Sequence, residues 1–222
     1  MQPVTEKNNF LYLVISLVFL LLVGALVDQF PSKLGQHFFQ AVTVITLASG
    51  ILGLKSSRFW FHTGIGFIIS VLTVVLLSII LDISGLSYMH LIMLLAFYSW
   101  ATWLAARQVL FTGPIDGNKI IGAICIYLLM GLIWTLLYLL IAQALPGAFI
   151  GLEQTLWYDN FADVAYYSFV TLTTLGYGDI SPKIPIARFV VYMEAIVGVF
   201  YMAILVASLI GIKTSELNAD KN

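Results

Sequence analysis

Charged side chains are scarce in this chain of 222 residues: only 9% of the residues are charged, whereas 61% are hydrophobic. The mean hydropathy is +1.01 and the formal net charge is -1. A soluble domain cannot bury that much apolar surface, so the composition predicts an integral membrane protein. A net charge this close to zero gives no basic surface that would attract nucleic acid.

Cysteine and histidine are also nearly absent. The one cysteine, Cys125, lies inside an apolar run, so an intrachain disulfide is excluded and a small buried hydrophobe is expected. The three histidines are His37, His62 and His90. They fall near the ends of apolar segments, without the spacing of a zinc-binding helix. Because the apolar segments contain no nucleophile–base pair and no metal cluster, we expect neither an enzyme nor an organic cofactor.

Long apolar runs dominate what is present. Six of them have about the 20 residues that a helix needs to cross a bilayer. They cover 9–28, 36–54, 61–82, 87–110, 119–144 and 186–212. The run from Phe10 to Val27 exceeds the apolar core of a signal peptide, so we expect it to be retained as the first span. A seventh piece, 161–174, would reach only ~21 Å as a helix, too short to cross ~30 Å of hydrocarbon. The predicted fold class is therefore an all-α membrane protein with six transmembrane helices and a re-entrant helix between the last two.

The strip from Thr174 to Gly178 follows this short piece. Gly176 and Gly178 have no Cβ, so they reach backbone angles that are closed to other residues. Glycines at alternate positions allow successive carbonyl oxygens to face a common axis, with the Thr174 hydroxyl at the inner end. Leu175 and Tyr177 would then point backwards and wedge the strip against its surroundings. Four such strips around one axis would form stacked rings of oxygens that replace the hydration shell of a monovalent cation.

The sequence of this strip and the next residue, Thr174-Leu175-Gly176-Tyr177-Gly178-Asp179, resembles the selectivity filter of the potassium channel family, with leucine where valine is commoner. The resemblance covers the segment 119–213. It implies that K⁺ is the permeant ion, held by the carbonyls of residues 174–177 and the threonine hydroxyl, with Gly178 closing the strip. It also implies a homotetramer, since one strip is a quarter of a ring.

The resemblance also implies supporting roles beside the filter. Asp179 lies just outside it, in reach of Tyr166 and Tyr167, where similar channels often have tryptophan. Some bacterial relatives carry a glutamate in the pore helix where this chain has Val170. The polar positions that can form hydrogen bonds behind the filter are Ser168, Thr171 and Thr173.

Glu194 is the one ionisable residue well inside an apolar segment. It lies ~12 Å along the sixth segment, level with the filter. A carboxylate at this depth is costly unless it has a partner, and it marks a candidate functional site. We predict that Glu194 bonds to the pore helix, through Thr171 or a tyrosine, and braces the filter; the alternative is simple protonation. Gly198 stands where the family has an inner-helix hinge glycine, and a gating hinge and close helix packing explain it equally well.

The fourth segment lacks the repeated cations by which voltage-gated relatives sense the membrane field. Between Leu86 and Leu110 its single arginine is Arg107, at the cytoplasmic end. One elementary charge that crosses the field contributes about 2.3 kcal/mol per 100 mV. A single interfacial arginine therefore cannot produce a steep voltage response.

The distribution of lysine and arginine predicts the orientation. Both termini are expected in the cytoplasm, because this puts seven of the 10 basic residues inside. The inner residues are Lys7, Lys55, Arg58, Arg107, Lys119, Lys213 and Lys221, and the outer ones are Lys33, Lys183 and Arg188. The carboxylates placed around the outer pore mouth are Glu153, Asp159, Asp163 and Asp179. We expect a multi-pass protein of the plasma or inner membrane, whose outer carboxylates would enrich cations locally.

Four regions are predicted along the chain. Residues 1–112 form a four-helix transmembrane domain, 113–118 a short cytoplasmic linker, 119–213 the pore domain and 214–222 a cytoplasmic tail. The linker is too short for the long amphipathic helix of voltage-gated relatives, so the four-helix domain should pack beside its own subunit's pore helices. The tail is too short for a cytoplasmic ligand-binding domain.

The predicted function is passive, potassium-selective conduction without steep voltage gating. Two alternatives stay open: a weakly selective cation channel, and a pore gated by a lipid or small ligand bound to the four-helix domain. The intact Gly-Tyr-Gly argues against the first alternative. Lipid packing alone and ligand binding explain the uncharged helices equally well. The expected partners are membrane lipids and three further copies of the chain, without nucleic acid.

Overall fold

The structure, a computed structural model, describes residues 9–29, 33–54, 58–81, 84–110, 117–153 and 157–219. Within these ranges the chain forms seven α-helices and a two-stranded antiparallel sheet. The helices are α1 (Asn9–Gln29), α2 (Lys33–Gly53), α3 (Arg58–Leu81), α4 (Ser84–Leu110), α5 (Gly117–Ala144), α6 (Phe161–Leu172) and α7 (Pro185–Ala219), and the strands are β1 (Phe149–Ile150) and β2 (Ser181–Pro182). Apolar runs without internal proline favour helices, because hydrocarbon leaves backbone groups no other partners.

The all-helical architecture was predicted correctly, and each apolar run became one helix. Among the described residues, four helices are long and apolar enough to cross a membrane. These stretches are Phe10–Val27, Tyr88–Val109, Gly117–Ala144 and Pro185–Ser208. The apolar parts of α2 and α3 are shorter, so the count of six spans stays a prediction. Helix α6 ends at Leu172, two residues before the end predicted for the seventh piece. The predicted end, Thr174, has a positive φ angle that does not fit an α-helix.

Helix α1 is apolar on both faces. In α1 the buried residues recur every three or four positions, as Phe10, Leu13, Leu17 and Leu20. The opposite face is exposed and equally apolar, with Tyr12, Ile15, Val18 and Leu22. A helix that is apolar all round is typical of a membrane span, with one face on protein and the other on lipid.

Helix α5 lies at the centre of the chain's contacts. Each of α1 to α4 packs on the next helix, α4 packs on α5, and α1 packs on both α5 and α6. On its other side α5 contacts α6 and α7. The N-terminal helices therefore pack against the C-terminal segment of their own chain.

Aromatic rings fix the beginning of α6 against the N-terminal helices. The Trp157 ring lies 5.1 Å from the ring of His90 in α4 and 6.2 Å from that of Phe39 in α2. The Phe39 ring is 4.7 Å from Phe161, the first residue of α6. A Cβ added to Gly24 of α1 would lie 2.9 Å from Phe161, so only glycine leaves room for that ring. His90 is thus buried in protein near the end of its helix.

Candidate functional site

The strip after α6 remains bonded to the last turn of that helix. The Thr174 amide donates to the Thr171 carbonyl at 2.9 Å. The amides of Leu175 and Gly176 both donate to the Val170 carbonyl, at 2.9 Å and 3.4 Å. Val170 therefore holds the strip through its backbone carbonyl.

The backbone of the strip alternates in conformation. Thr174, Gly176 and Gly178 have positive φ angles of 60°, 55° and 83°, whereas Leu175 and Tyr177 between them do not. In a regular strand the φ angles share one sign and successive carbonyls point to opposite sides. Alternation in the sign of φ instead allows successive carbonyls to turn toward one side. The strip therefore has the local geometry needed to present a row of oxygens.

Thr174 is the unexpected member of this alternation. It is the one non-glycine residue with positive φ in the described part of the chain. A β-branched residue in the left-handed region is strained, at a cost of roughly 1–2 kcal/mol. Such strain persists where the surroundings enforce it, and it is typical of functional sites. The sequence analysis did not predict this conformation, because threonine as a residue type does not indicate a left-handed backbone.

The side chains of the strip have few contacts within one chain. Leu175 is 57% exposed and Tyr177 is 67% exposed. The Tyr177 ring stacks on Tyr166 of α6, with ring centres 6.4 Å apart and planes within 9°. Within one chain Tyr177 thus packs on α6, whereas more than half of Leu175 is exposed, and the wedge stays a prediction.

Asp179 is tied to α6 by one tyrosine. The Tyr166 hydroxyl donates to Asp179 at 2.7 Å. This bond, helped by the Ile180 amide at 3.0 Å, holds the pKa of the Asp179 carboxyl below its usual value. Of the two tyrosines that the sequence placed in reach of Asp179, Tyr166 forms the bond, because successive residues of a helix face different directions. The Tyr167 ring is buried 5.3 Å from that of Tyr138.

A short sheet holds the segment that follows Asp179. Phe149 of β1 pairs with Pro182 of β2, and the Lys183 amide donates to the Ala148 carbonyl at 2.8 Å. Gly151 has a φ of +85°, and a Cβ there would overlap the carbonyl oxygen of Asp179. The sequence analysis missed this sheet because strands of two residues have no periodicity to detect.

Glu194 joins three helices. One carboxyl oxygen accepts a hydrogen bond from the Tyr138 hydroxyl of α5, and the other lies 2.6 Å from the Ser168 hydroxyl of α6. The residue is 0% exposed. The sequence analysis named Thr171 or a tyrosine of the pore helix as the partner. The observed partner in α6 is instead Ser168, and the tyrosine that bonds to Glu194, Tyr138, belongs to α5.

The polar residues that flank α6 bond to nearby carbonyls. The Thr173 hydroxyl donates to the Phe169 carbonyl of its own helix at 2.6 Å. Asn160 occupies the N-cap position, yet its side chain forms no capping bond and donates to the Glu153 carbonyl at 2.9 Å. The four predicted outer carboxylates, Glu153, Asp159, Asp163 and Asp179, are all exposed.

Gly198 lies where α7 touches the end of α6. A Cβ on Gly198 would overlap the carbonyl oxygen of Leu172, and the Tyr127 hydroxyl of α5 reaches the same oxygen at 3.4 Å. The helix α7 runs from Pro185 to Ala219 without interruption. In this structure the glycine therefore serves close packing between helices.

Comparison with known proteins identifies the C-terminal segment. No curated protein and no solved structure matches the chain. Residues 122–212 match a protein-family model described as an ion channel. This range starts in α5, ends in α7 and includes α6, the strip and Glu194. The C-terminal segment is thus similar to an ion channel domain, and ion channels are not enzymes.

Proposed function

We propose that the chain is one subunit of a homotetrameric, potassium-selective channel. The observation that carries the proposal is the alternating backbone of residues 174–178, whose positive φ angles at Thr174, Gly176 and Gly178 would let the carbonyls face one side. Rings of oxygens from Thr174, Leu175, Gly176 and Tyr177 would replace the hydration shell of K⁺. The Thr174 hydroxyl adds an inner ring, and Gly178 lets the chain leave the pore. Potassium is the transported ion and no chemistry is catalysed.

Exposed apolar surface supports the tetramer. In one chain the strip bears exposed Leu175 and Tyr177, and α7 is the least covered of the four long apolar helices. The exposed apolar residues of its first half are Ile186, Phe189, Tyr192, Ile196, Val199 and Phe200. Three further copies around a four-fold axis would cover the strip and part of this face. Native mass spectrometry from detergent is expected to give an assembly of four chains.

The proposed topology has six spans, with α6 entering the membrane from outside and both termini in the cytoplasm. With 12 residues, α6 is ~18 Å long, so it would end partway through the hydrocarbon. The negative end of its helix dipole would then point at the membrane centre, where it stabilises a cation.

The reversal potential tests the proposed selectivity. Purified protein in a planar bilayer, with K⁺ on one side and Na⁺ on the other, should reverse close to the potassium equilibrium potential. A reversal near zero would contradict potassium selectivity and favour the weakly selective cation channel. A current that appears only after a lipid or apolar ligand is added would assign gating to the N-terminal helices.

Voltage is expected to act weakly on opening. The Arg107 guanidinium lies 4.8 Å from the centre of the Trp103 ring, at the end of α4. Arg107→Gln should leave the slope of the conductance–voltage curve unchanged, because an interfacial charge traverses little of the field. A steep curve in the wild type, or one flattened by this substitution, would show that α4 senses voltage after all.

The Tyr166 hydroxyl is expected to prolong conduction. Tyr166→Phe removes the bond to Asp179 and loosens the segment after the strip, so single-channel records should show shorter conducting periods at constant voltage. Tyr12→Phe removes an exposed hydroxyl from α1 and serves as the matched control. Equal conducting periods in the two variants would mean that the Tyr166–Asp179 bond does not stabilise the filter.

A further inference from the structure

Three buried side chains from three helices form one hydrogen-bonded group. Tyr138 of α5, Ser168 of α6 and Glu194 of α7 are each 0% exposed. Tyr138 donates to one oxygen of Glu194, and the Ser168 hydroxyl lies 2.6 Å from the other. The same Ser168 hydroxyl lies 2.8 Å from the carbonyl oxygen of Gly131 in α5.

No cation balances this carboxyl within the described part of the chain. The titratable groups that face Glu194 are Tyr127 and Tyr138 from α5 and Tyr167 from α6, all neutral near pH 7. Because Glu194 is fully buried within a single chain, a neighbouring subunit cannot bring a cation into contact with it. An ionised carboxylate enclosed by neutral groups in a membrane-spanning helix is energetically expensive.

The number of protons available to the group also favours a protonated Glu194. A serine hydroxyl has one proton to donate, and Ser168 has two possible acceptors, Glu194 and the Gly131 carbonyl. If Glu194 were ionised, one of these contacts would bring two acceptors together without a proton. If Glu194 carries a proton, it donates to Ser168, and Ser168 donates to Gly131. Tyr138 still donates to the other carboxyl oxygen, so every contact then contains one proton.

We propose that Glu194 is a protonated positioning residue that holds α6 against α5 through Ser168. The relay runs from the Glu194 acid proton to the Ser168 oxygen and from the Ser168 proton to the Gly131 carbonyl. Deprotonation turns the Ser168 proton toward the carboxylate and releases the Gly131 carbonyl. The helix that carries the strip then loses a bond to α5.

The proton itself can be observed without any current. Infrared spectra of the purified full-length protein in lipid at neutral pH should contain the carbonyl-stretch band of a protonated, hydrogen-bonded carboxylic acid. Glu194→Gln should remove this band, and Glu153→Gln, which alters an exposed carboxylate, should not. Ser168→Ala should keep the band and move it to higher frequency, because the acid loses its acceptor. A spectrum in which Glu194→Gln removes no such band would overturn the assignment.

The pH dependence of the current tests whether deprotonation of Glu194 impairs conduction. This test rests on the proposed channel function. Wild-type potassium current should fall as the pH is raised, since ionised Glu194 releases α6. Glutamine can donate to Ser168 and accept from Tyr138 without titrating, so Glu194→Gln should lose the alkaline fall, while Glu153→Gln keeps it. An alkaline fall that persists in Glu194→Gln would contradict the positioning role. A current without potassium selectivity would contradict the proposed function. The infrared spectra would then still show whether Glu194 is protonated.

Discussion

Replacing Gly176 by alanine is expected to abolish potassium selectivity. Gly176 has a φ of +55°, and a Cβ added there would have no heavy atom within 4 Å in its own chain. The harm would therefore come from the backbone, since a left-handed L-residue costs roughly 1–2 kcal/mol. A tetramer bears this cost four times around one ring. The strip would relieve it by turning a carbonyl away from the axis, and the reversal potential should move toward zero.

Two controls separate the backbone effect from the added methyl group. Gly66→Ala adds a methyl to an open position of α3 and should leave selectivity unchanged, with a small gain in helix stability. D-alanine introduced at position 176 by semisynthesis adds the same methyl but favours positive φ, so it should retain selectivity. If Gly176→Ala behaved like the wild type, the alternating backbone would not be the source of selectivity.

Replacing Gly198 by alanine is expected to destabilise the channel domain and reduce its current. The added Cβ would overlap the Leu172 carbonyl oxygen, a backbone atom that cannot move unless the end of α6 moves with it. Overpacking of this kind typically costs 1–3 kcal/mol. Thermal unfolding in detergent should therefore occur at a lower temperature, and the displaced α6 should impair the strip that follows it.

The same substitution distinguishes packing from bending. If Gly198 acted only as a hinge, alanine would stiffen α7 and alter the open probability but leave the unfolding temperature unchanged. If it serves packing, the unfolding temperature falls whether or not the channel opens. Gly66→Ala again controls for helix propensity, because its Cβ meets no neighbour. An unchanged unfolding temperature in Gly198→Ala would contradict the packing role.

Much of the architecture follows from the sequence by itself. Apolar runs free of proline form helices in hydrocarbon because every backbone group must bond within its own segment, so α1 to α7 are local consequences of composition. The two glycines one residue apart also predict an unusual backbone, since the conformational freedom of glycine is a property of the residue itself. Glu194 is similar: its depth in an apolar segment indicates that it needs a partner, whatever the fold.

Tertiary structure decided which groups meet. Whether Tyr166 or Tyr167 bonds to Asp179 depends on the rotation of α6 about its axis, and neighbouring residues of a helix point about 100° apart. Tyr138 meets Glu194 although they are far apart in sequence, because α5 and α7 cross beside Ser168. The left-handed Thr174 follows from its bonds to α6 and not from its own preference. Sequence thus determined the elements, since their causes are local, while packing determined the contacts, since they depend on how the helices rotate and cross.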